Sequence, residues 1–323
     1  MKYTRLKTQD PYYNLAVEEY LFRNADEDIF MLWQNSPSVI VGRNQNVYAE
    51  VDLGYTEREG ICVCRRITGG GAVYHDLGNI NYTFISVKGD AQALDFEYFT
   101  RPIIRALKEL GVEASLGGRN DIECGGRKIS GNAQHIEGGR VLHHGTLLFS
   151  TDFGVMESAL KVDKEKLSYR AVKSTRARVV NMREALGREI SAEEFLSELE
   201  GYVSSELGAI PTEAPRGVEI DAIYRRNRSS EWIFSKKRYL TEYTVTRKKK
   251  YPFGLVSVEI EFEREVISDI VISGDFFGVR PIEELESSLI GKRYGDSLAL
   301  DLTPYINGMT PLELEELMFQ NKN

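Results

Sequence analysis

Residues 65–76 read Arg65-Arg66-Ile67-Thr68-Gly69-Gly70-Gly71-Ala72-Val73-Tyr74-His75-Asp76. An apolar run, Gly60-Ile61-Cys62-Val63-Cys64, leads into them and reads as a buried strand. Three successive glycines then leave the backbone N–H groups unshielded and free to take positive φ. A loop of that kind can wrap an anion with its amides. Two arginines at its entrance add fixed charge and planar donors suited to phosphate. A tight hairpin with a surface Arg pair is the simpler alternative, but three glycines cost more chain entropy than a turn requires. The balance favours anion binding. The loop is neither a P-loop nor a dinucleotide fingerprint, because G-x-x-x-x-G-K-[ST] and G-x-G-x-x-G are both absent.

Two further stretches bear on chemistry. In Gly126-Arg127-Lys128-Ile129-Ser130-Gly131-Asn132-Ala133-Gln134, a lysine stands between glycines on an alternating strand. Such a lysine can bridge a carboxylate and a phosphate and stabilise the charge developing between them; on spacing alone an exposed hairpin lysine is the better reading. In His143-His144-Gly145-Thr146-Leu147-Leu148, neighbouring strand residues face opposite ways, so one histidine at most lines a given pocket. The four histidines, His75, His135, His143 and His144, show no metal-ligand spacing.

Outward from the glycine loop, Asn14–Phe22 has helical apolar spacing, with Glu18 and Glu19 expected on the other side. Phe30–Trp33, Ser38–Val41 and Asn81–Val87 read as strands. Phe96–Leu110 is an amphipathic helix stopped by Gly111, and Ser191–Leu207 is a helix opened by the capping pattern Ser-Ala-Glu-Glu. The run Arg247-Lys248-Lys249-Lys250-Tyr251-Pro252-Phe253-Gly254 reads as a turn or linker. Strands over Leu255–Phe262 and Val266–Ser273 follow, then Gly274-Asp275-Phe276-Phe277, a helix over Pro281–Leu289 and a last helix from Pro311. The expectation is an α+β chain with two units, 1–245 and 246–323.

The composition, 42% hydrophobic and 28% charged over 323 residues, is that of a globular protein with ample core. No apolar run approaches the roughly 20 residues that span a bilayer. The N-terminal M-K-Y-T-R-L-K-T-Q-D lacks the apolar stretch of a secretory signal, and Cys62, Cys64 and Cys124 are too few for a disulfide framework. A reduced, cytoplasmic protein with no membrane partner is expected. The net charge of −8 argues against nucleic acid. It is unevenly spread: residues 225–250 carry ten Lys or Arg against Glu231 and Glu242, a local +8 that leaves −16 elsewhere. That segment reads equally as a solvated face or as a docking surface for an acidic protein partner.

Taken together, these strings resemble the lipoate–protein ligase family, over nearly the whole chain. The glycine-rich signature is R-R-I-T-G-G-G-A-V-Y-H-D-L-G-N-I-N-Y-T-F at 65–84, the lysine strand G-R-K-I-S-G-N-A-Q, and the histidine strand H-H-G-T-L-L. Fainter echoes are V-G-R-N-Q-N at 41–46, G-R-N-D-I at 118–122 and K-S-T-R-A-R-V-V-N at 173–181. The resemblance implies a mixed β-sheet domain flanked by helices, similar to biotin ligases and class II aminoacyl-tRNA synthetases, with a small accessory domain. It implies ATP and Mg²⁺ as cofactors and lipoate as substrate, converted to lipoyl-AMP. The lipoyl group then passes to a lysine of a carrier, either a lipoyl domain of a 2-oxoacid dehydrogenase complex or the glycine-cleavage H protein. A monomer is expected.

Position by position, the resemblance makes Lys128 the catalytic lysine, in contact with both the lipoyl carboxyl and the α-phosphate. It places the nucleotide against Arg66, Gly71, Ala72, Val73, Tyr74 and Lys128, with Asn79, Asp121 and Lys173 as further candidates and Asp121 as a candidate Mg²⁺ contact. Lipoate is expected against Lys128, Gly70, Gly71, Arg66 and His144. Val73, Tyr74, Phe84, Leu147 and Phe149 are candidate apolar walls, or ordinary core.

Three readings compete. The G-D-F-F-G unit resembles the accessory domain of complete, ATP-dependent ligases. An amidotransferase would instead need a cysteine thiolate, for which Cys124 in D-I-E-C-G-G-R-K is the candidate. A non-catalytic lipoyl-binding protein would be expected to have lost Lys128 or the triple glycine, and both are present.

Overall fold

The computed structural model describes residues 1–87, 94–161, 178–234 and 242–319. Its first six strands are β1 (Lys2–Arg5), β2 (Ile29–Trp33), β3 (Ser38–Val41), β4 (Cys62–Arg65), β5 (Val73–His75) and β6 (Asn79–Ser86). They are followed by β7 (Ala114–Gly117), β8 (Asp121–Cys124), β9 (Arg127–Glu137), β10 (Arg140–Leu148) and the short β11 (Ile210–Pro211). Eight of these form one mixed sheet in the order β11-β1-β2-β6-β10-β9-β8-β7. Its β11, β1 and β2 run parallel and the remainder antiparallel. A second sheet, β4-β3-β5, carries the triple glycine between β4 and β5.

Helices cover both faces of the large sheet, which is why β2 (I-F-M-L-W) is buried along its whole length. Phe30 and Leu32 pack towards helices Phe96–Glu109 and Ala192–Leu207. Met31 and Trp33 pack towards helix Pro11–Asn24. The local chemistry that starts these helices is plain. Asp10 caps Tyr12 and Tyr13 with Pro11 at the first turn. Ser191 and Glu194 form a reciprocal capping box, and the helix they open stops at Gly208 in a left-handed conformation. Phe149 stacks on Phe195 at 4.8 Å; burying a side chain of this size contributes ~1.5–3 kcal/mol.

Two expectations need correction. Glu18 and Glu19 are not on a solvent face; both are buried. Their partners make this possible: distant His144 meets Glu18 at 2.9 Å, and Glu19 pairs with distant Arg226 and with Arg23 one turn along its own helix. Second, the basic run is not a linker. It lies in β12 (Val245–Tyr251), the edge of a three-stranded sheet with β13 (Gly254–Glu263) and β14 (Val266–Gly274). Lysines suit an edge strand because they discourage further pairing. This sheet and the helices Ile282–Leu289 and Pro311–Phe319 share a separate apolar core built on Val258, Ile260, Ile272 and Leu314.

Candidate active site

Both arginines at the glycine loop are spent on the protein's own acceptors. Arg65 donates through Nε to the carbonyls of Trp232 (3.0 Å) and Ile233 (2.9 Å), and through Nη1 to those of Gly42, Arg43 and Gln45. Arg66 donates through Nε to Thr68 Oγ1 (2.8 Å), through Nη1 to Ile40 O (3.0 Å), and through Nη2 to Gly69 O (2.7 Å) and Gly71 O (2.8 Å). Arg66 thus holds the loop's shape from behind. Burial pushes it down to about 10, so it remains charged at neutral pH.

The loop's outer side is closed by the C-terminal unit. Gly70 N–H donates to Phe276 O at 3.2 Å. Gly70 has φ +88°, and a Cβ there would sit 2.9 Å from the Phe277 ring, so only glycine fits. The Phe277 ring in turn lies under the Arg119 guanidinium (4.7 Å) and beside Phe96 (5.4 Å). One of the three glycine amides is therefore held by a carbonyl in this arrangement.

Arg66, Gly70, Gly71, Ala72, Val73, Lys128 and His144 line a single cavity of about 120 Å³. Its apolar wall comes from Leu15, Trp33, Ile40 and Val73. Phe84, Leu147 and Phe149 instead belong to the main core, and Tyr74 packs with Val39, Val41 and Leu148. Asn79 is buried beside the cavity-lining Asn81, to which it donates at 2.9 Å. Lys173 lies outside the described residues. The cavity crosses the sheet: Trp33 pairs with Asn81, Asn81 with Thr146, and Thr146 Oγ1 accepts from Gly131 N at 3.1 Å. Three strand spacings of about 4.8 Å make this path roughly 14 Å long.

At one end stands Lys128. Its Nζ lies 2.8 Å from Asp121 Oδ1, and the two side chains are 35% and 31% exposed. The ammonium occupies the space above Gly131, where a Cβ would sit 2.8 Å from Nζ. Val179 bridges to Lys128, and Val180 N donates to its carbonyl (3.0 Å), so the end of the 173–181 string flanks the lysine.

The floor is a buried polar chain. Trp33 Nε1 donates to Thr83 Oγ1 (3.0 Å), and Thr83 donates to Glu18 Oε1 (2.6 Å). His144 Nδ1 lies 2.9 Å from the same oxygen. A carboxylate only accepts, so Nδ1 carries the proton. In the neutral ring Nε2 then accepts from Thr68 Oγ1 (2.9 Å), which accepts from Arg66. His75 also lines the cavity; its Nδ1 accepts from Asn35 Nδ2 at 3.0 Å, and burial, aided by the charge of Arg66, pushes it down to about 3.

His143 faces the opposite side of β10. It stacks on Phe99 (5.2 Å) and meets Phe96 edge-on (5.9 Å), and burial holds it well below the usual imidazole range. Gln134 Oε1 accepts from Asp95 N (2.9 Å) and its Nε2 donates to Asp95 O (2.6 Å), which fixes the amide. Gln134 Nε2 therefore donates to His143 Nδ1 (2.8 Å), and His143 Nε2 donates to Asn132 Oδ1 (3.2 Å). Tyr82 OH donates to the same oxygen. Asn132 and Asn120 then clamp each other: Asn132 Nδ2 donates to Asn120 O (3.0 Å), and Asn120 Nδ2 donates to Asn132 O (2.6 Å).

Sequence reasoning missed Glu18, Trp33, Thr68, Asn120 and Asn132 as site residues. Thr68, Asn120 and Asn132 carried a signal, inside the R-R-I-T-G-G-G, G-R-N-D-I and G-R-K-I-S-G-N-A-Q strings; Glu18 and Trp33 carried none.

The chain matches two family models: the lipoyl protein ligase A/B catalytic domain over residues 10–203 and the bacterial lipoate protein ligase C-terminus over residues 241–318. It is 40% identical to the lipoate-protein ligase LplJ of Bacillus subtilis, over 92% of each chain. Among solved structures it resembles P. falciparum LipL1 in complex with lipoate, with a TM-score of 0.78, 26% identity and 92% and 91% of the two chains covered. It also resembles a lipoate-protein ligase A bound with ATP, with a TM-score of 0.60, 28% identity and 72% and 98% covered. A catalytic unit and a C-terminal unit that both match, with a relative 40% identical along nearly its full length, leave one conclusion: this chain belongs to the lipoate–protein ligase family.

Proposed function

We propose that the chain joins lipoate to carrier proteins in two steps driven by ATP. Lipoate's carboxylate attacks the α-phosphorus of ATP, giving lipoyl-AMP and pyrophosphate. The ε-amine of a carrier lysine then attacks the acyl carbon and AMP leaves. The carriers proposed are lipoyl domains of 2-oxoacid dehydrogenase complexes and the glycine-cleavage H protein.

The observation that carries this reading is the polarity of the cavity. A lysine ammonium stands at one end, and Trp33, Leu15 and Ile40 line the other. A medium-length acyl chain would lie along the apolar stretch with its carboxylate at Lys128. The glycine loop borders the same cavity and offers amides to a phosphate. Both steps are substitutions at a charged centre, so positioning and fixed charge supply most of the catalysis. No protein nucleophile is required.

Among the described residues no group of three His, Cys, Asp or Glu side chains could hold a metal ion. That suits a Mg²⁺ that enters with ATP, because such an ion keeps phosphate oxygens and water as ligands and needs only one or two carboxylates. Asp121 is the carboxylate beside Lys128, and one of its oxygens already serves the ammonium. We take the protein to act in the cytoplasm as a monomer, with residues 246–323 as its accessory domain; no helix among the described residues is long and apolar enough to cross a membrane.

The amidotransferase reading needs Cys124 at the reacting centre. Cys124 packs against the main core and does not line the cavity. Cys124→Ser should keep full ligase activity. Loss of transfer in that variant, with a thioester trapped in the parent, would move the protein to the amidotransferase class.

A further inference from the structure

Two histidines line the cavity, and only one has its hydrogen bonds closed on the protein. His144 has both ring nitrogens partnered, to Glu18 and to Thr68. His75 is 3% exposed, and its Nε2 has no partner among the described residues. The role of that nitrogen is fixed by its neighbours. Asn14 Nδ2 donates to the carbonyl of Gln34 at 2.9 Å, so the atom 2.9 Å from it on Asn35 is the acceptor, Oδ1. The other atom of the Asn35 amide is then Nδ2, which donates to His75 Nδ1 at 3.0 Å. The ring, pushed down to about 3 by burial, is neutral at physiological pH, so its single proton sits on Nε2.

A buried N–H with no acceptor is destabilising, and native proteins hold few of them. This one stands on the wall of a substrate cavity. Asn35, which takes the Nδ1 edge of the ring, is not part of that wall, so the Nε2 edge is the one left to the cavity. The place is the apolar end, opposite Lys128. His75 is held there by its strand, in register with Ser38 of β3, and its ring meets Trp33 edge-on at 6.1 Å. With a carboxylate at Lys128, the remote end of the acyl chain lies by Trp33 and His75.

The remote end of lipoate is not plain hydrocarbon. Its dithiolane ring carries two sulfur atoms, whose lone pairs accept hydrogen bonds weakly. Resting on the ligase reading above, we propose that His75 recognises the dithiolane: its Nε2–H donates to a ring sulfur, and this contact sets the preference for lipoate over a plain fatty acid of similar length. A saturated chain brings no acceptor and leaves the N–H buried and unpaired. The discrimination comes from that loss as much as from the sulfur contact itself. Lys128 holds the carboxylate that both acids share, and His75 reads the end at which they differ.

Two acids of nearly the same shape test this: lipoate, and 5-cyclopentylpentanoate, in which methylenes replace both sulfurs. Pyrophosphate release with Mg-ATP gives kcat/KM for each. The parent should activate lipoate about tenfold more efficiently, the scale of one hydrogen bond made or left unmade in a buried site. His75→Phe keeps a ring and loses the N–H, and should bring that ratio to within about twofold of one, whatever it does to both rates. A merely structural role would lower both rates and leave the ratio. If the Phe variant folds poorly, the parent alone still decides: equal efficiencies for the two acids would overturn the proposal and leave the ligase reading intact. A ratio that stays near tenfold in His75→Phe would also overturn it, and would move the contact to Asn81, whose side-chain nitrogen is likewise unpartnered on the same wall. A parent that releases no pyrophosphate with either acid would remove the ligase reading and this inference with it.

Discussion

The rim and the floor of the cavity use charge in opposite ways. At the rim, Lys128 and Asp121 are partly exposed, meet through one contact and can trade partners. On the floor, Glu18, His144, Thr68 and Arg66 are buried, and each hydrogen-bonds the next. The exposed pair contributes little to stability, so it can be given over to chemistry. The buried chain sets the shape of the glycine loop, and breaking it leaves polar groups without partners. The two predict opposite signatures on mutation: activity without stability at the rim, stability first on the floor.

The largest effect should come from the rim. Lys128→Ala should lower lipoyl-AMP formation about 100- to 1,000-fold, the scale of losing one preorganised donor to developing charge. Its melting temperature should stay within about 2 °C, because the lost ion pair is worth so little. Pyrophosphate release and a thermal melt on one preparation check both halves. A variant with normal release would remove Lys128 from the mechanism.

The floor comes next. Glu18→Ala removes the acceptor shared by His144 and Thr83 and leaves two buried donors without a partner, at about 1–3 kcal/mol each. Urea unfolding reads this directly. A loss below about 1 kcal/mol would mean that the floor is as dispensable as the rim.

A pH series sharpens the contrast. His75 and His143 are both held below their ordinary range by burial. Between pH 6.5 and the folded values the unfolded chain binds more protons, so stability falls as pH falls through that window. The slope should approach about 1.4 kcal/mol per pH unit for each histidine. Unfolding midpoints at pH 7, 6 and 5 test this, and His75→Gln should flatten the slope. A stability curve that is flat from pH 7 to 5 would contradict the buried, neutral assignment.

The smallest effect is expected far from both. Arg247, Lys249 and Lys250 on the edge strand already bond within their own unit, to Met318, Glu316 and Asp275. Changing Lys249 and Lys250 to Gln should leave carrier kinetics within about threefold at physiological salt, since exposed charges act mainly through a screened encounter rate. A large, salt-dependent rise in the KM for carrier would restore this strand as a docking surface.

How far the sequence could be read follows the same division. The rim could be pointed to only through a resemblance: on spacing alone Lys128 reads as an exposed hairpin lysine, and the likeness of the whole G-R-K-I-S-G-N-A-Q string singled it out. Glu18, on the floor, could not be pointed to at all. Helical periodicity sends Glu18 to the solvent side of its helix, and its partner His144 lies 126 residues away. No local pattern announces a contact of that range. Arg66 lines the cavity, as an arginine beside glycines suggests, but what no local pattern announces is that its donors meet the carbonyls of Ile40, Gly69 and Gly71. The edge strand reads as a linker because lysines mask a strand whose inward residues are few. The small sheet's pairing with two helices was readable beyond that point, since alternating valine and isoleucine mark β13 and β14.

The central claim is that the chain activates lipoate itself and does not depend on preformed acyl groups. Pyrophosphate release by the purified protein, given lipoate and Mg-ATP with no carrier present, tests it most directly. Release that requires lipoate and is lost in Lys128→Ala is the expected result. No release from a folded, ATP-binding parent would contradict it.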